Sequence, residues 1–189
     1  MKTKVSDQEK LLTVIRNKNL TIPEAIRIIK FTYPKTIEEE FNLNVDYKRS
    51  LEEMIRAGNY DWYDKSINEK HFPLPAQFIG RKIELKAKLV HFNRVMSSND
   101  VIASLAESEP HFRLATLAEQ LAFSEFNPEL QKQFPIVALG SRWKNIFCSS
   151  AVPILIFDDY RRCLSLDWYK GNWDHYCHFL IVSNLFNYV

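Results

Sequence analysis

Residues 81–91 read RKIELKAKLVH, and their regular alternation of apolar and polar side chains decides which fold to expect. Successive side chains of a strand point to opposite faces, so this pattern predicts a long strand with one buried face and one solvated face. The buried face would carry Ile83, Leu85, Ala87, Leu89 and His91. The solvated face would be cationic, because Lys82, Lys86 and Lys88 lie on it.

The chain before this strand shows helix signals instead. S/T-x-x-E capping boxes, whose two side chains satisfy free amide groups at a helix start, occur at Ser6 to Glu9, Thr21 to Glu24 and Thr36 to Glu39. A further helix is expected over residues 47–57, with Gly58 as its C-terminal cap. These signals predict a helical N-terminal unit over residues 1–57. A crossing loop with several aromatic residues and prolines would follow over residues 58–80.

The chain after the strand combines helices with short apolar runs. Ser98 or Asn99 would start one helix, and a capping box at Thr116 would start a second one over residues 117–126. The apolar runs that follow are too closely spaced for the crossover connections of a parallel sheet. They lie at residues 136–139, 152–157, 163–168 and 178–182. The predicted class is therefore α+β, with a mixed domain over residues 81–189 that ends in an antiparallel, Trp-rich sheet.

The composition excludes several classes of protein. With 46% hydrophobic and 13% aromatic residues the chain can build a core, and its 4 Gly do not form a glycine-rich phosphate loop. A net charge of +2 is too small for a strong general attraction to nucleic acid or to anionic membranes. No apolar stretch approaches the roughly 20 residues of a membrane span. We therefore expect a cytoplasmic protein without membrane contact, whose 3 Cys are reduced thiols.

Several short phrases carry a resemblance to a known family. They are DW (61–62), HFP (71–73), HFNR (91–94), ATLAEQLAF (115–123), FPIVALGSRW (134–143), VPIL (152–155), LDWYKGNWD (166–174) and FLIV (179–182). In their order and spacing they resemble a bacterial family of uncharacterised proteins, and this resemblance implies a common domain without implying an activity. The order of the elements is also similar to C-type-lectin-like and sulfatase-modifying-factor-like folds. A likeness of fold does not by itself assign a function.

The C-terminal third is rich in aromatic residues beside polar ones. Carbohydrate-binding and protein-binding surfaces use this mixture, since aromatic rings supply contact area while carboxylates and amides orient the ligand. Tryptophan also anchors cores, and Asp and Asn also hold turns, so a purely structural role is the alternative. The candidate ligand-binding residues are Trp168, Tyr169, Trp173, Asp167, Asn172 and Asp174. The expected partner is an unknown protein or a glycan-like ligand.

Nucleic acid is the alternative partner, through the cationic face of the long strand. The residues that would contact phosphates are Lys82, Lys86, Lys88 and Arg94. Phosphate binding needs several such charges on one face. The competing interpretation is that these lysines protect an exposed strand edge from pairing with other chains, and Glu84 interrupts their row.

An enzyme, specifically a hydrolase, ranks third. The densest group of potential metal ligands is Asp174, His175, Cys177 and His178. Alternation along a strand would separate these side chains onto two faces, and the sequence has no CxxC pair and no HExxH motif. Cysteines within apolar runs are usually inert. The sequence therefore predicts a non-catalytic binding or interaction module, with no catalytic residue, no metal ligand and no cofactor.

Overall fold

The computed structural model describes residues 35–36, 40–144, 150–183 and 187–188. Within these residues the helices are α1 (Leu51–Ala57), α2 (Ser98–Ser108) and α3 (Leu117–Phe126), and a 3-10 turn lies at Leu130–Lys132. The strands are β1 (Lys35–Thr36), β2 (Phe41–Asp46), β3 (Trp62–Tyr63), β4 (Lys82–His91), β5 (Met96–Ser97), β6 (Phe112–Leu114), β7 (Ile136–Val137), β8 (Trp143–Lys144), β9 (Ser150–Asp158), β10 (Arg161–Trp168), β11 (Asn172–Trp173), β12 (His178–Ser183) and β13 (Asn187–Tyr188). The α+β class is confirmed.

One large mixed sheet organises the described residues. Its eleven strands follow the order β1-β4-β12-β7-β9-β10-β3, with β2 and β13 also paired to β4, β6 to β12 and β8 to β9. Strands β5 and β11 form a separate two-stranded sheet. Strand β12 joins the two halves of the large sheet, because it pairs with β4 on one side and with β7 on the other.

The expectation of a purely antiparallel C-terminal sheet is wrong at two pairings. Strand β7 pairs parallel to β12, and β3 pairs parallel to β10. The hairpin of β9 and β10 is antiparallel, as its short connection requires. The parallel pairs join strands that lie far apart in the chain, and a long connection permits either direction. Close spacing of apolar runs therefore predicts only the pairing of neighbouring runs.

The long strand β4 is confirmed with the predicted alternation. Ile83, Leu85, Ala87 and Leu89 are buried on one face. Val90 is also buried, on the opposite face, in the same cluster as Phe92. The solvated face therefore ends before Val90, because both faces of the sheet are covered at that end of the strand.

The predicted helical unit over residues 1–57 is only partly described. Its capping boxes at Ser6 and Thr21 lie outside the described residues. Helix α1 ends at Gly58 as predicted, but it begins at Leu51 and not at residue 47, because a capping box starts it there: the Ser50 backbone N–H donates to Glu53 Oε2 at 2.7 Å. The third box was misleading, because Thr36 lies in β1.

A strand, β2, follows where that third helix was expected. It pairs with β4, from Phe41 opposite Ala87 to Asp46 opposite Lys82. Its alternating buried residues, Leu43 and Val45, give it the period of a strand. This pairing joins part of the predicted N-terminal unit to the sheet that follows the crossing loop.

Buried side chains form two cores, one on each face of the sheet. The first core includes Leu85, Ile136, Leu155 and Leu180 beside α1 and α3. The second core includes Val137, Ile154, Phe179 and Trp173 beside α2. Neighbouring residues such as Ile136 and Val137 contribute to different cores, as the alternation of a strand requires.

Helix α3 is buried along most of its length and carries polar side chains into the fold. The amide of Gln120 donates to the backbone carbonyl of Ile136 at 2.8 Å. Glu119 accepts the backbone N–H of Thr116 at 2.7 Å and two bonds from the guanidinium of Arg113. These bonds satisfy groups that would otherwise destabilise the interior, and they fix the helix against the sheet.

Among the described residues, no helix combines the length and the apolar character that crossing a membrane would need. Cys163 and Cys177 are free and buried, as expected of reduced thiols, and Cys148 lies outside the described residues.

Candidate functional site

The pairing of three strands brings two tryptophans to one face of the sheet. Trp143 of β8 lies opposite Ala151 of β9, and Ala151 lies opposite Trp168 of β10. Residues directly opposite each other in antiparallel strands share a face, so these three side chains form one row across the sheet. Neighbouring strands are about 4.8 Å apart, which separates the two tryptophan backbones by about 10 Å. We call Trp143, Ala151 and Trp168 the aromatic row.

Trp168 is the exposed member of the row. Its side chain is 57% exposed, which is a high value for so large an apolar residue. Its backbone is held on both sides, because its N–H donates to Asp167 Oδ1 at 2.6 Å and its carbonyl accepts from the Gly171 N–H at 3.0 Å. The exposed ring is therefore presented from a fixed turn.

Trp143 is half-buried and is held by the crossing loop. The ring of His71 stacks on it with centroids 4.4 Å apart and an interplanar angle of 18°. His71 is itself placed by its Nδ1, which lies 2.8 Å from the carbonyl oxygen of Ser66. Trp143 also packs against the first core, as does Leu166, which lies two residues before Trp168.

The other predicted aromatic residues lie on the opposite face. Trp173 is only 3% exposed and belongs to the second core, where its Nε1 donates to Ser98 Oγ at 2.9 Å. Ser98 Oγ in turn donates to the carbonyl of Tyr169 at 2.6 Å, and Tyr169 packs against the same core. Trp173 is thus a core anchor and Tyr169 supports it. The structure does not bring Trp168, Tyr169 and Trp173 together on one surface.

The predicted polar residues Asp167, Asn172 and Asp174 are all exposed, and the two carboxylates accept local hydrogen bonds. Asp167 accepts the Trp168 N–H, and Asp174 accepts a hydrogen bond from the Tyr176 hydroxyl at 2.9 Å. This bond raises the pKa of Tyr176. Asn172 lies in β11, paired with β5. Of these three polar residues, only Asp167 is bonded to the exposed tryptophan.

The lysines of the cationic strand have partners. Lys82 lies 3.3 Å from Asp46, and Lys86 Nζ donates to Asn42 Oδ1 at 2.6 Å. Lys88 is the most enclosed of them, between Glu40 at 3.5 Å and Glu109 at 3.3 Å. Arg94 follows the strand and is half-buried. The acidic neighbours reduce the positive potential of this face, so it is a weaker phosphate surface than the sequence alone indicated.

Two potentially reactive side chains, Cys177 and His178, are buried near β12. His178 is buried between the rings of His91, at 4.4 Å, and Phe134, at 3.7 Å. Burial lowers the pKa of His178 to about 4 and raises the pKa of the Cys177 thiol to about 11. A thiol with such a pKa is protonated near neutral pH and is a poor nucleophile.

Metal binding has no support in this region. Within the described ranges no three His, Cys, Asp or Glu side chains converge as a metal site would require. His175 is exposed, whereas Cys177 and His178 are buried in the fold.

Sequence reasoning missed the partnership of Trp143 with Trp168. Trp143 is not among the predicted site residues, because nothing local links it to the far end of the next hairpin, where Trp168 lies. The signal is the register of β8 and β10 on β9, which is a tertiary property.

Comparison with protein-family models, with curated proteins and with solved structures gave no match for this chain. The resemblance to a bacterial family therefore stays a prediction.

Proposed function

We propose that this protein is a non-catalytic binding module whose binding surface is the aromatic row. The observation that carries the proposal is the register that places Trp143 and Trp168 on one face, with the Trp168 ring 57% exposed. The exposed Trp168 ring, with a second tryptophan on the same face, offers apolar area that a ligand can cover. A ligand with a flat apolar face would gain free energy by stacking on it.

The arrangement suits recognition more than chemistry. Both tryptophans are held by neighbours, Trp143 by His71 and Trp168 by the turn that includes Gly171, so little order has to be gained on binding. The buried thiol and imidazole near β12 are held in their neutral forms, which suits packing rather than proton transfer. The proposal therefore assigns no catalytic role to them.

A screen against glycan and peptide arrays tests this proposal. We expect a ligand that binds the wild-type chain and is lost in Trp168→Ala, with a nearly unchanged melting temperature because the side chain is exposed. Trp62→Ala is the matched control, since Trp62 is 46% exposed and lies on β3, away from the row. Ligands whose binding survives Trp168→Ala, or is lost equally in Trp62→Ala, would show that the row is not the binding surface.

A further inference from the structure

Exposed basic side chains lie close in the chain to both tryptophans of the aromatic row. Arg142 and Lys144 flank Trp143 in the chain, Lys170 lies in the turn after Trp168, and Lys70 precedes the His71 that stacks on Trp143. Within the part of the chain that the structure describes, these four cations take part in no ion pair. They differ in this respect from Lys82 and Lys88 of the cationic strand, which have acidic partners.

The carboxylates close in the chain to the row and its cations accept hydrogen bonds from backbone N–H groups. Asp167 accepts from the Trp168 N–H at 2.6 Å and Asp64 from the Ser66 N–H at 2.8 Å. Glu69, next to Lys70, accepts from the Leu51 N–H at 3.1 Å. These acids fix turns and a helix start and form no ion pair with the four cations.

The two features together specify a ligand that has flat rings and carries negative charge. We propose that the aromatic row binds single-stranded nucleic acid, with bases stacked on Trp168 and Trp143 and phosphates near Lys70, Arg142, Lys144 and Lys170. Surfaces that bind single strands combine aromatic platforms with a positive surround in this way. This inference rests on the proposed function and names its ligand.

Other ligand classes use only half of the arrangement. A neutral glycan would stack on the tryptophans but would gain nothing from four exposed cations. An acidic peptide would pair with the cations but does not need a flat platform. A nucleic-acid duplex keeps its bases stacked inside, so it could reach the cations and not the rings.

The positions of the cations fit a nucleic-acid strand that passes over the end of the β-sheet. By alternation Arg142, just before β8, and Lys144 lie on the face opposite to Trp143, where the Arg142 guanidinium lies 4.5 Å from the centre of the Tyr169 ring. With bases stacked on the row, the sugar-phosphate chain would bend around the end of the sheet, from the face of the tryptophans toward the face of Arg142 and Lys144. Arg142 is held by the ring of Tyr169, which gives that residue a role different from direct ligand stacking.

The test is fluorescence anisotropy with labelled oligothymidylate and oligouridylate over a range of salt concentrations. We expect binding that weakens as salt rises. Trp168→Ala should reduce the affinity about 5- to 150-fold, which corresponds to the loss of one stacked base. Lys144→Gln combined with Lys170→Gln should lower the slope of log affinity against log salt by about 1.4, since each phosphate contact in a single strand contributes about 0.7.

The matched control is Lys82→Gln combined with Lys86→Gln on the cationic strand, which should leave affinity and salt slope unchanged. Equal losses in this control would overturn the inference, because binding would then follow net charge alone. Absence of oligonucleotide binding would also overturn it. If the arrays still show a Trp168-dependent ligand, the proposed function stands and only the nucleic-acid assignment fails; if they show none, both fail.

Discussion

Trp143 and Trp168 lie on the same face of the sheet, each directly opposite Ala151 of the strand between them. Trp173, five residues after Trp168, points into the second core on the other face. Among these three tryptophans Trp168 is exposed, Trp143 is half-buried on the same face and Trp173 is a core anchor, so variants of Trp168 and Trp173 should behave differently.

Truncation of the core anchor should destabilise the fold. Trp173→Ala removes a side chain that is 3% exposed together with its hydrogen bond to Ser98, so we expect a loss of about 3 to 5 kcal/mol in the free energy of unfolding. Chemical denaturation measures this loss of stability. Trp168→Ala is the comparison and should change stability by less than about 0.5 kcal/mol. Equal effects of the two substitutions would contradict the assignment of the two faces.

Gly140 should not tolerate a side chain. A Cβ there would lie 2.6 Å from the carbonyl oxygens of both Leu114 and Ala115, and these are backbone atoms that cannot move aside alone. The Gly140 N–H also donates to the carbonyl oxygen of Ala115 at 2.9 Å, and this bond joins the loop before β8 to the residues that precede α3. Gly140→Ala should therefore lower the melting temperature clearly.

Gly80→Ala is the control for that substitution. Gly80 has open space around it and a φ of +79°, so alanine there should cost only the left-handed backbone strain, about 1 kcal/mol. A Gly140→Ala protein as stable as wild type would show that the contact between this loop and α3 is looser than described.

Stability should fall in mild acid because of His178. Its pKa is about 4 in the folded chain, chiefly through burial, and close to 6.5 when unfolded, so the unfolded state binds more protons between these values. The contribution is fully present above about pH 6.5 and is lost progressively as the pH falls toward 4. The total loss is about 3 kcal/mol at most.

Urea unfolding at several pH values from 7 to 4 measures this contribution. His178→Phe keeps a ring between His91 and Phe134 and removes the titrating group, so its stability should depend less steeply on pH than that of wild type. The same pH dependence in both proteins would assign it to other groups, such as the carboxylates.

Local patterns predicted the elements whose formation depends on neighbours in the chain. The alternation over residues 81–91 predicted β4, and the capping box at Thr116 predicted the start of α3. The same capping signature at Thr36 failed, because a four-residue pattern cannot outweigh the pairing of the residues around it with β4.

The candidate site depends on contacts that local patterns do not encode. Alternation alone places Trp168 and Tyr169 on opposite faces. It does not show which of the two faces is covered by α2 and Ser98. The neighbours of Trp168 across the sheet follow from the registers of β8 and β10 on β9. Register depends on the packing of the whole sheet, which is why Trp143 was not predicted as a site residue.

The emission of individual tryptophans during ligand titration tests the central claim most directly, with oligothymidylate or the ligand found on the arrays as the probe. Phenylalanine at position 168 can still stack, so Trp168→Phe should bind while losing the part of the ligand-induced change in tryptophan emission that comes from Trp168. Trp62→Phe and Trp173→Phe should keep that change. A full change in Trp168→Phe, or its loss in Trp62→Phe, would show that the ligand contacts another surface and would contradict the account.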